Sequence, residues 1–200
     1  MNREVLIVHT EVANIASVMA GFTRLGAKVA LTESRDEIAK AERVVLPGVG
    51  AFGAAMERLR ALDLVAALRE RFEAGRTTLA VCVGLQLLAA ASEESPGAVG
   101  LGLFPGPVAR FTGPVRVPQL GWNRVEPEPG CALLERGHAY FANSYRLTAM
   151  PAGWSGAFAD HGGRFVAAME KGRLLACQFH PELSSGYGRA LLTRWLNLGD

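Results

Sequence analysis

Three short stretches of this 200-residue chain carry side chains suited to acyl-transfer chemistry. The first is Thr77-Thr78-Leu79-Ala80-Val81-Cys82-Val83-Gly84-Leu85-Gln86. An apolar strand runs into Cys82 and a helix starts at once, with Ala80 and Gly84 small on either side. This is the cysteine form of a nucleophile elbow, whose tight turn needs small neighbours because the backbone is strained and closely packed. The helix N-terminus that follows favours an anion at the sulfur. The second stretch is Gln178-Phe179-His180-Pro181-Glu182. Pro181 predicts an extended segment, in which positions i and i+2 face the same side, so that Glu182 can fix the His180 ring. A thiol nucleophile needs a base that takes its proton and later gives it to a leaving amine, and a carboxylate-held histidine does both. The third stretch is Leu46-Pro47-Gly48-Val49-Gly50. Acyl transfer needs two N–H groups aimed at the developing oxyanion. The amide of Val83 can be one, and the glycine-rich segment can bring the other close.

Each stretch also has a plainer reading. Cys82 alone is equally a buried core thiol at a strand end, and His180-Pro181-Glu182 alone reads as a surface turn. Found in one chain, they supply a nucleophile and a base with its orienting carboxylate. Gly48-Val49-Gly50-Ala51-Phe52-Gly53 also matches G-x-G-x-x-G. A dinucleotide fingerprint, however, belongs in the first strand–helix turn, with an acid ending a second strand. Here the glycines follow the third strand and Glu70 falls in a helix. His9, His138 and His161 read as structural or exposed, Cys177 as a core thiol, and Cys131 has no evident role.

The elements that must position these residues alternate through the first half. Strands are predicted at Glu4–His9, Ala27–Leu31, Val44–Leu46 and Thr77–Val81, with helices at Asn14–Leu25, Ala54–Leu62, Leu64–Ala74 and Gly84–Ala91. Strands rich in Val, Leu and Ala without polar alternation suit a parallel sheet covered on both faces. The expected class is therefore α/β, an open, mostly parallel twisted sheet with helices on both faces. The second half is richer in Gly and Pro. Val108–Phe111, Ala139–Leu147, Phe165–Glu170 and Leu174–Phe179 read as further strands joined by turns such as Gly162-Gly163, which suggests an antiparallel addition to the sheet. A last helix is expected from about Tyr187 to Leu198. With no repeat and no linker, residues 1–200 read as one domain.

Half the residues are hydrophobic and 20% are charged, as in ordinary globular proteins. Lys+Arg is 21 against 19 Asp+Glu, too balanced for a nucleic-acid binder. The apolar run at the N-terminus is too short for a membrane span or a secretion signal, so a cytoplasmic protein is expected. Three widely spaced cysteines imply neither a disulfide framework nor a metal site, and no cofactor is expected.

Taken together, Pro47-Gly48-Val49-Gly50, Cys82-Val83-Gly84-Leu85-Gln86-Leu87-Leu88 and Gln178–Glu182 resemble the class I, triad-type glutamine amidotransferases. Pro47–Phe52, Ser92-Glu93-Glu94, Gly100–Gly106, Pro118–Asn123 and Phe141–Arg146 narrow the resemblance to the glutaminase subunits of imidazole glycerol phosphate synthase, of histidine biosynthesis. It covers nearly the whole chain. The resemblance implies that Cys82 attacks the carboxamide of glutamine, His180 protonates the departing ammonia, and Glu182 orients His180. It assigns Val49 and Gly50 to an oxyanion strand whose peptide flips before donating, and Gln86 and Glu94 to the substrate's polar groups, with Glu94 on the α-ammonium. Ser144 and Tyr145 fall in the segment whose backbone meets the α-carboxylate. Asn14, Trp122 and Asn123 fall on the surface that docks on the synthase, with Trp122 exposed on a loop at Pro118–Asn123. That partner is a (β/α)₈-barrel cyclase, which needs about 250 residues of its own and so must be a second polypeptide. Family members usually carry glycine in the turn occupied here by Thr10–Ala13, histidine where Asn143 stands, and lysine where Leu183 stands. An amidotransferase for another pathway, such as pyridoxal phosphate synthesis, and a non-catalytic regulatory subunit of the same fold are the competing readings.

Overall fold

The computed structural model describes residues 3–10, 14–48 and 50–198. The first half is β1 (Glu4–Val8), α1 (Ile15–Thr23), β2 (Lys28–Thr32), α2 (Arg35–Lys40), β3 (Val44–Leu46), α3 (Phe52–Ala61), α4 (Val65–Glu73) and β4 (Thr78–Val81). There follow α5 (Val83–Gln86), β5 (Ala89–Ser92), β6 (Phe104–Arg110), β7 (Gln119–Pro127), β8 (Gly137–Asn143) and β9 (Tyr145–Arg146). The chain then forms β10 (Ser155–Asp160), β11 (Arg164–Lys171), β12 (Leu174–Cys177), a 3-10 turn at Pro181–Leu183 and α6 (Ser185–Leu196).

Among the described residues, nine strands make one sheet in the order β2-β1-β3-β4-β12-β11-β10-β7-β8. The pairs from β2 to β12 are parallel. From β12 to β8 every pair is antiparallel. The expected α/β class and the antiparallel addition both hold. The central strands β3, β4 and β12 are buried along their whole length. They read as unbroken apolar runs because helices or loops cover both faces.

Several boundaries differ from the sequence reading for definable reasons. The helix expected at Gly84–Ala91 stops at Gln86, and Ala89–Ser92 is a strand paired with β6. A short buried apolar run carries no periodicity that separates helix from strand. Here the amides of Leu101, Gly102 and Leu103 take the carbonyls of Leu87, Ala89 and Leu88 at 2.7, 3.2 and 2.9 Å, leaving them unavailable to a helix. The segment read as the loop Pro118–Asn123 is the start of β7, paired with β8 from Gln119↔Asn143 to Val125↔Gly137. Its pattern is inverted: polar Gln119 is buried while Leu120 and Trp122 face solvent. Helix α2 and strand β10 had no counterpart in the reading, although Ser34 and Glu37 form a capping pair in which Ser34 Oγ accepts from the Glu37 amide at 3.3 Å.

One buried cation ties the helical layer to the sheet. Arg71 of α4 is fully buried. Its guanidinium donates to the carbonyls of Ile38, Ala41, Glu42 and Thr77 and to Thr78 Oγ1, at 2.7–3.0 Å. It thereby joins the end of α2 and the entry of β4 in place of a carboxylate partner. Burial and the neighbouring Arg76 charge lower its pKa to about 10. Replacing Arg71 with Met strands several of these acceptors, each worth about 1–3 kcal/mol when buried without a partner. We expect Arg71→Met to lower stability by about 3 kcal/mol, read as a shifted urea midpoint with an unchanged slope.

Candidate active site

Cys82 sits where β4 ends and α5 begins, with φ 54° and ψ −109°. A non-glycine residue holds such angles only where its surroundings over-determine them. Its amide donates to the Cys177 carbonyl on β12 at 2.7 Å. Across the turn, a Cβ on Gly84 would drive into the Leu46 carbonyl oxygen, and one on Gly48 would lie 2.6 Å from the Gly84 nitrogen. The strand β3, its glycine-rich exit and the first turn of α5 therefore touch backbone to backbone, and the sulfur is pushed out of the sheet.

His180 reaches the same place from the end of β12. Its amide donates to the Tyr140 carbonyl at 2.9 Å, while Ser184 Oγ accepts from the Tyr140 amide at 2.9 Å and donates to the His180 carbonyl at 2.6 Å. Strand β8 thus clamps the segment. The extended path expected through Pro181 is only half right: His180 is extended, but Pro181–Leu183 forms a 3-10 turn. Proline keeps the residue before it extended yet fits the first position of a helix. The outcome expected from i, i+2 geometry survives by this other route, with His180 Nδ1 2.8 Å from Glu182 Oε1. Gly21 of α1 makes room for the carboxylate's stem, since a Cβ there would lie 3.1 Å from Glu182 Cβ.

With Nδ1 on Glu182, the ring lines the same cavity as Cys82. Burial by itself lowers the imidazole pKa. The hydrogen bonds to Cys82 and Glu182, and their charges, outweigh it and push the pKa up to about 10. Imidazole and carboxylate are thus joined at 2.8 Å, and the sulfur shares a cavity wall with the imidazole.

A cavity of about 270 Å³ opens beside the sulfur, lined by Gly50, Cys82, Val83, Gln86, Glu94, Asn143, Ser144, Tyr145 and His180 among others. All four residues expected at the substrate, Gln86, Glu94, Ser144 and Tyr145, are brought together there. Glu94 Oε2 also accepts from the Phe52 amide at 2.7 Å, and Ser95 Oγ accepts from Gly53 at 3.0 Å. These two side chains cap α3, whose own N-cap residue Ala51 offers none. Of the oxyanion candidates, Gly50 lines the cavity with φ 87°, and Val49 lies outside the described residues. The Val83 amide, expected to be free, is engaged by the Gly48 carbonyl at 3.3 Å.

The chain matches the model of the family "Glutamine amidotransferase class-I" over residues 7–196. The chain belongs to the class-I glutamine amidotransferases. Within this family it is 40% identical over 196 residues to the imidazole glycerol phosphate synthase subunit HisH of Moorella thermoacetica, covering 95% of this chain and 92% of that one. The HisH subunit of Symbiobacterium thermophilum is 37% identical over 195 residues, 96% of this chain and 92% of the relative. The HisH subunit of Bacillus subtilis is 35% identical over 201 residues, 96% and 95% of the two chains. The chain therefore belongs to the HisH subunits of imidazole glycerol phosphate synthase. A solved glutamine amidotransferase superposes with a TM-score of 0.77 at 22% identity, over 96% of this chain and 97% of that one.

The remaining candidates of this amidotransferase chain lie away from the sulfur. Asn14 is exposed at the N-terminus of α1, where its Oδ1 accepts from the Ser17 amide at 3.4 Å. It also borders a small cleft with Pro47, Gly48, His180 and Glu182. Trp122 and Asn123 line a separate cavity of about 330 Å³ with Gln119, Asp160 and His161. Trp122 is 55% exposed. Residues 11–13 of the departing turn lie outside the described residues. Cys177 is fully buried, and burial pushes its thiol well above the usual range. His9 pairs with Glu33 at 3.0 Å, and His161 meets the Arg116 carbonyl at 2.7 Å. Sequence reasoning gave no role to Gln178, which is fully buried with its Nε2 3.7 Å from Cys82 Sγ.

The raised His180 pKa has a readable sign. Its stabilising contribution is complete below about pH 6.5 and is lost as pH rises through about 10. We expect the His180 ring, followed by NMR, to titrate near pH 10. In the Cys82→Ala/Glu182→Gln chain, with only burial left, the midpoint falls to or below the ordinary value of about 6.5.

Proposed function

We propose that this chain hydrolyses glutamine through a Cys82 thioester and passes the ammonia to a separate (β/α)₈-barrel cyclase subunit. The observation that supports the reading is that Cys82 and His180 line one cavity with Glu94, Ser144 and Tyr145, while Glu182 holds His180 Nδ1 at 2.8 Å. The sulfur adds to the carboxamide carbon and the carbonyl electrons move onto oxygen. Collapse of that oxyanion breaks the C–N bond as His180 delivers a proton to nitrogen, and ammonia leaves behind a glutamyl thioester. His180 then takes a proton from water, whose oxygen displaces the sulfur to give glutamate and the starting thiolate. Glu182 keeps the ring aimed and its charge compensated through both steps. In this reading Glu94, on the cavity wall, meets the α-ammonium. A reduced thiol is required throughout, which fits a cytoplasmic setting.

The oxyanion donors are the part that must move. A Val83 amide held by Gly48 cannot receive the developing charge, so the 48–50 segment has to reorient before Val83, Gly50 and Val49 can donate. This links turnover to docking: the segment leads from the cleft at Asn14, and the cyclase docks over Asn14, Trp122 and Asn123 in this reading. Held by its partner, the chain serves a synthase that makes imidazole glycerol phosphate and an aminoimidazole carboxamide ribotide.

Two outcomes are expected. In the complex, Cys82→Ala abolishes synthesis from glutamine and leaves synthesis from added ammonium; loss of both contradicts the assignment. The chain alone turns over glutamine at a small fraction of the rate seen with its ligand-bound partner. Full activity of the free subunit, measured as glutamate release, would remove the coupling.

A further inference from the structure

Behind the nucleophile lies a chain of buried carboxamides that the triad does not account for. Gln86 Nε2 donates to the Tyr145 carbonyl at 3.1 Å and to Gln178 Oε1 at 3.1 Å, and Gln178 Nε2 lies 3.7 Å from Cys82 Sγ. Gln178 is fully buried, and Gln86 is 3% exposed. The orientation of both amides follows from chemistry. A backbone carbonyl only accepts, so the end of Gln86 that meets Tyr145 is its NH₂. That same nitrogen donates to Gln178, whose oxygen must therefore face Gln86. Its NH₂ is left facing the sulfur. Asn143 Nδ2 also donates to the Tyr145 carbonyl, at 3.0 Å, which pins that acceptor from a second side.

We propose that Gln178 is a positioning residue for the nucleophile: its carboxamide N–H holds the Cys82 sulfur alongside the imidazole, and Gln86 fixes that amide while tying it to the backbone at Tyr145. The idea rests on Cys82 being the nucleophile and adds a second donor to it. A donor that can only donate favours the sulfur when it carries charge and is released as the C–S bond forms and that charge moves to oxygen. The relay also ends on the segment that flanks the substrate cavity, so a ligand seated on Ser144 and Tyr145 and the poise of the sulfur share one set of hydrogen bonds. The titratable groups around the sulfur are His180 and Glu182 on the following turn, Cys177 on β12, and Glu94 across the cavity. The variants below leave all four in place.

The test uses the full chain in complex with its cyclase and two substitutions. Gln178→Met keeps the length and removes the donor. Gln178→Glu keeps an oxygen toward Gln86 but places an acceptor against the sulfur. For each, the pH dependence of Cys82 alkylation by iodoacetamide is measured with kcat and KM for glutamine, and thermal midpoints identify folded chains. The expected result is an alkylation midpoint about one unit higher in Gln178→Met, with kcat down on the order of ten-fold and KM changed far less, and a larger shift in Gln178→Glu. If Gln178→Met does not fold, Gln178→Glu decides. An unmoved alkylation profile with unmoved kcat overturns the proposal. So does a rise in KM alone, which would make Gln178 a wall of the cavity. Failure of the wild-type complex to be labelled at Cys82 by a glutamine-like diazoketone sinks the nucleophile assignment itself, a result distinct from either.

Discussion

The left-handed backbone at Cys82 is the constraint on which the site depends. A residue at φ 54° costs of the order of 1–3 kcal/mol and would relax into the strand or the helix if it could. It is denied both. The Cys177 carbonyl holds its amide, and two glycines, Gly48 and Gly84, let β3's exit and α5's first turn close against each other with no room for a side chain. The sulfur therefore projects beyond the sheet, where an extended residue in β4 would have buried it in the core or turned it to the other face.

The sheet supplies the rest of the machinery at the same edge. Strands β3, β4 and β12 run parallel and side by side, and each ends in a functional segment: Pro47–Gly50, Cys82 and Gln178–Glu182. Carboxyl ends of adjacent parallel strands are where open α/β sheets place their ligands. β12 is also the seam at which the sheet turns antiparallel. One consequence is that β8, from the far end of the antiparallel half, folds back to clamp His180 through Tyr140 and Ser184. His180 is thus held by both halves of the sheet, while the Cys82 amide is held at the seam by β12.

How much of this the sequence reveals depends on what kind of signal each part leaves. The Gly84 neighbour of Cys82 and the Pro181 between His180 and Glu182 are local steric requirements, and they are written in residue identity. Strand β7 is not legible in this way, because buried Gln119 sits beside exposed Leu120 and Trp122, reversing the polarity that marks a strand face. The end of α5 is equally hidden. It is decided by amides of Leu101–Leu103, distant in sequence, that claim carbonyls from a uniformly apolar run. Helix α2 was missed because its one local signal, the Ser34 and Glu37 capping spacing, has no apolar stripe beside it. Gln178 was hidden by its neighbours: beside His180 it reads as part of a recognisable string, and only distance shows what its amide touches.

The electrostatics of the site centre on the His180 ring. His180 is buried, a setting that disfavours an imidazolium, and yet the Cys82 and Glu182 interactions more than reverse the effect. In the proposed mechanism the chemical step moves charge from sulfur to a carbonyl oxygen. Movement in a dry site is cheap only if the destination already offers donors. The Val83 amide, the donor proposed for that destination, is taken up by the Gly48 carbonyl. A 3.3 Å backbone bond is long, and its geometry is sustained by the same glycine contacts that hold the elbow. On the other side of β4, the Cys82 amide is held by the Cys177 carbonyl at 2.7 Å. The two amides at the elbow are therefore anchored on opposite sides of β4, that of Cys82 on β12 and that of Val83 on the exit of β3.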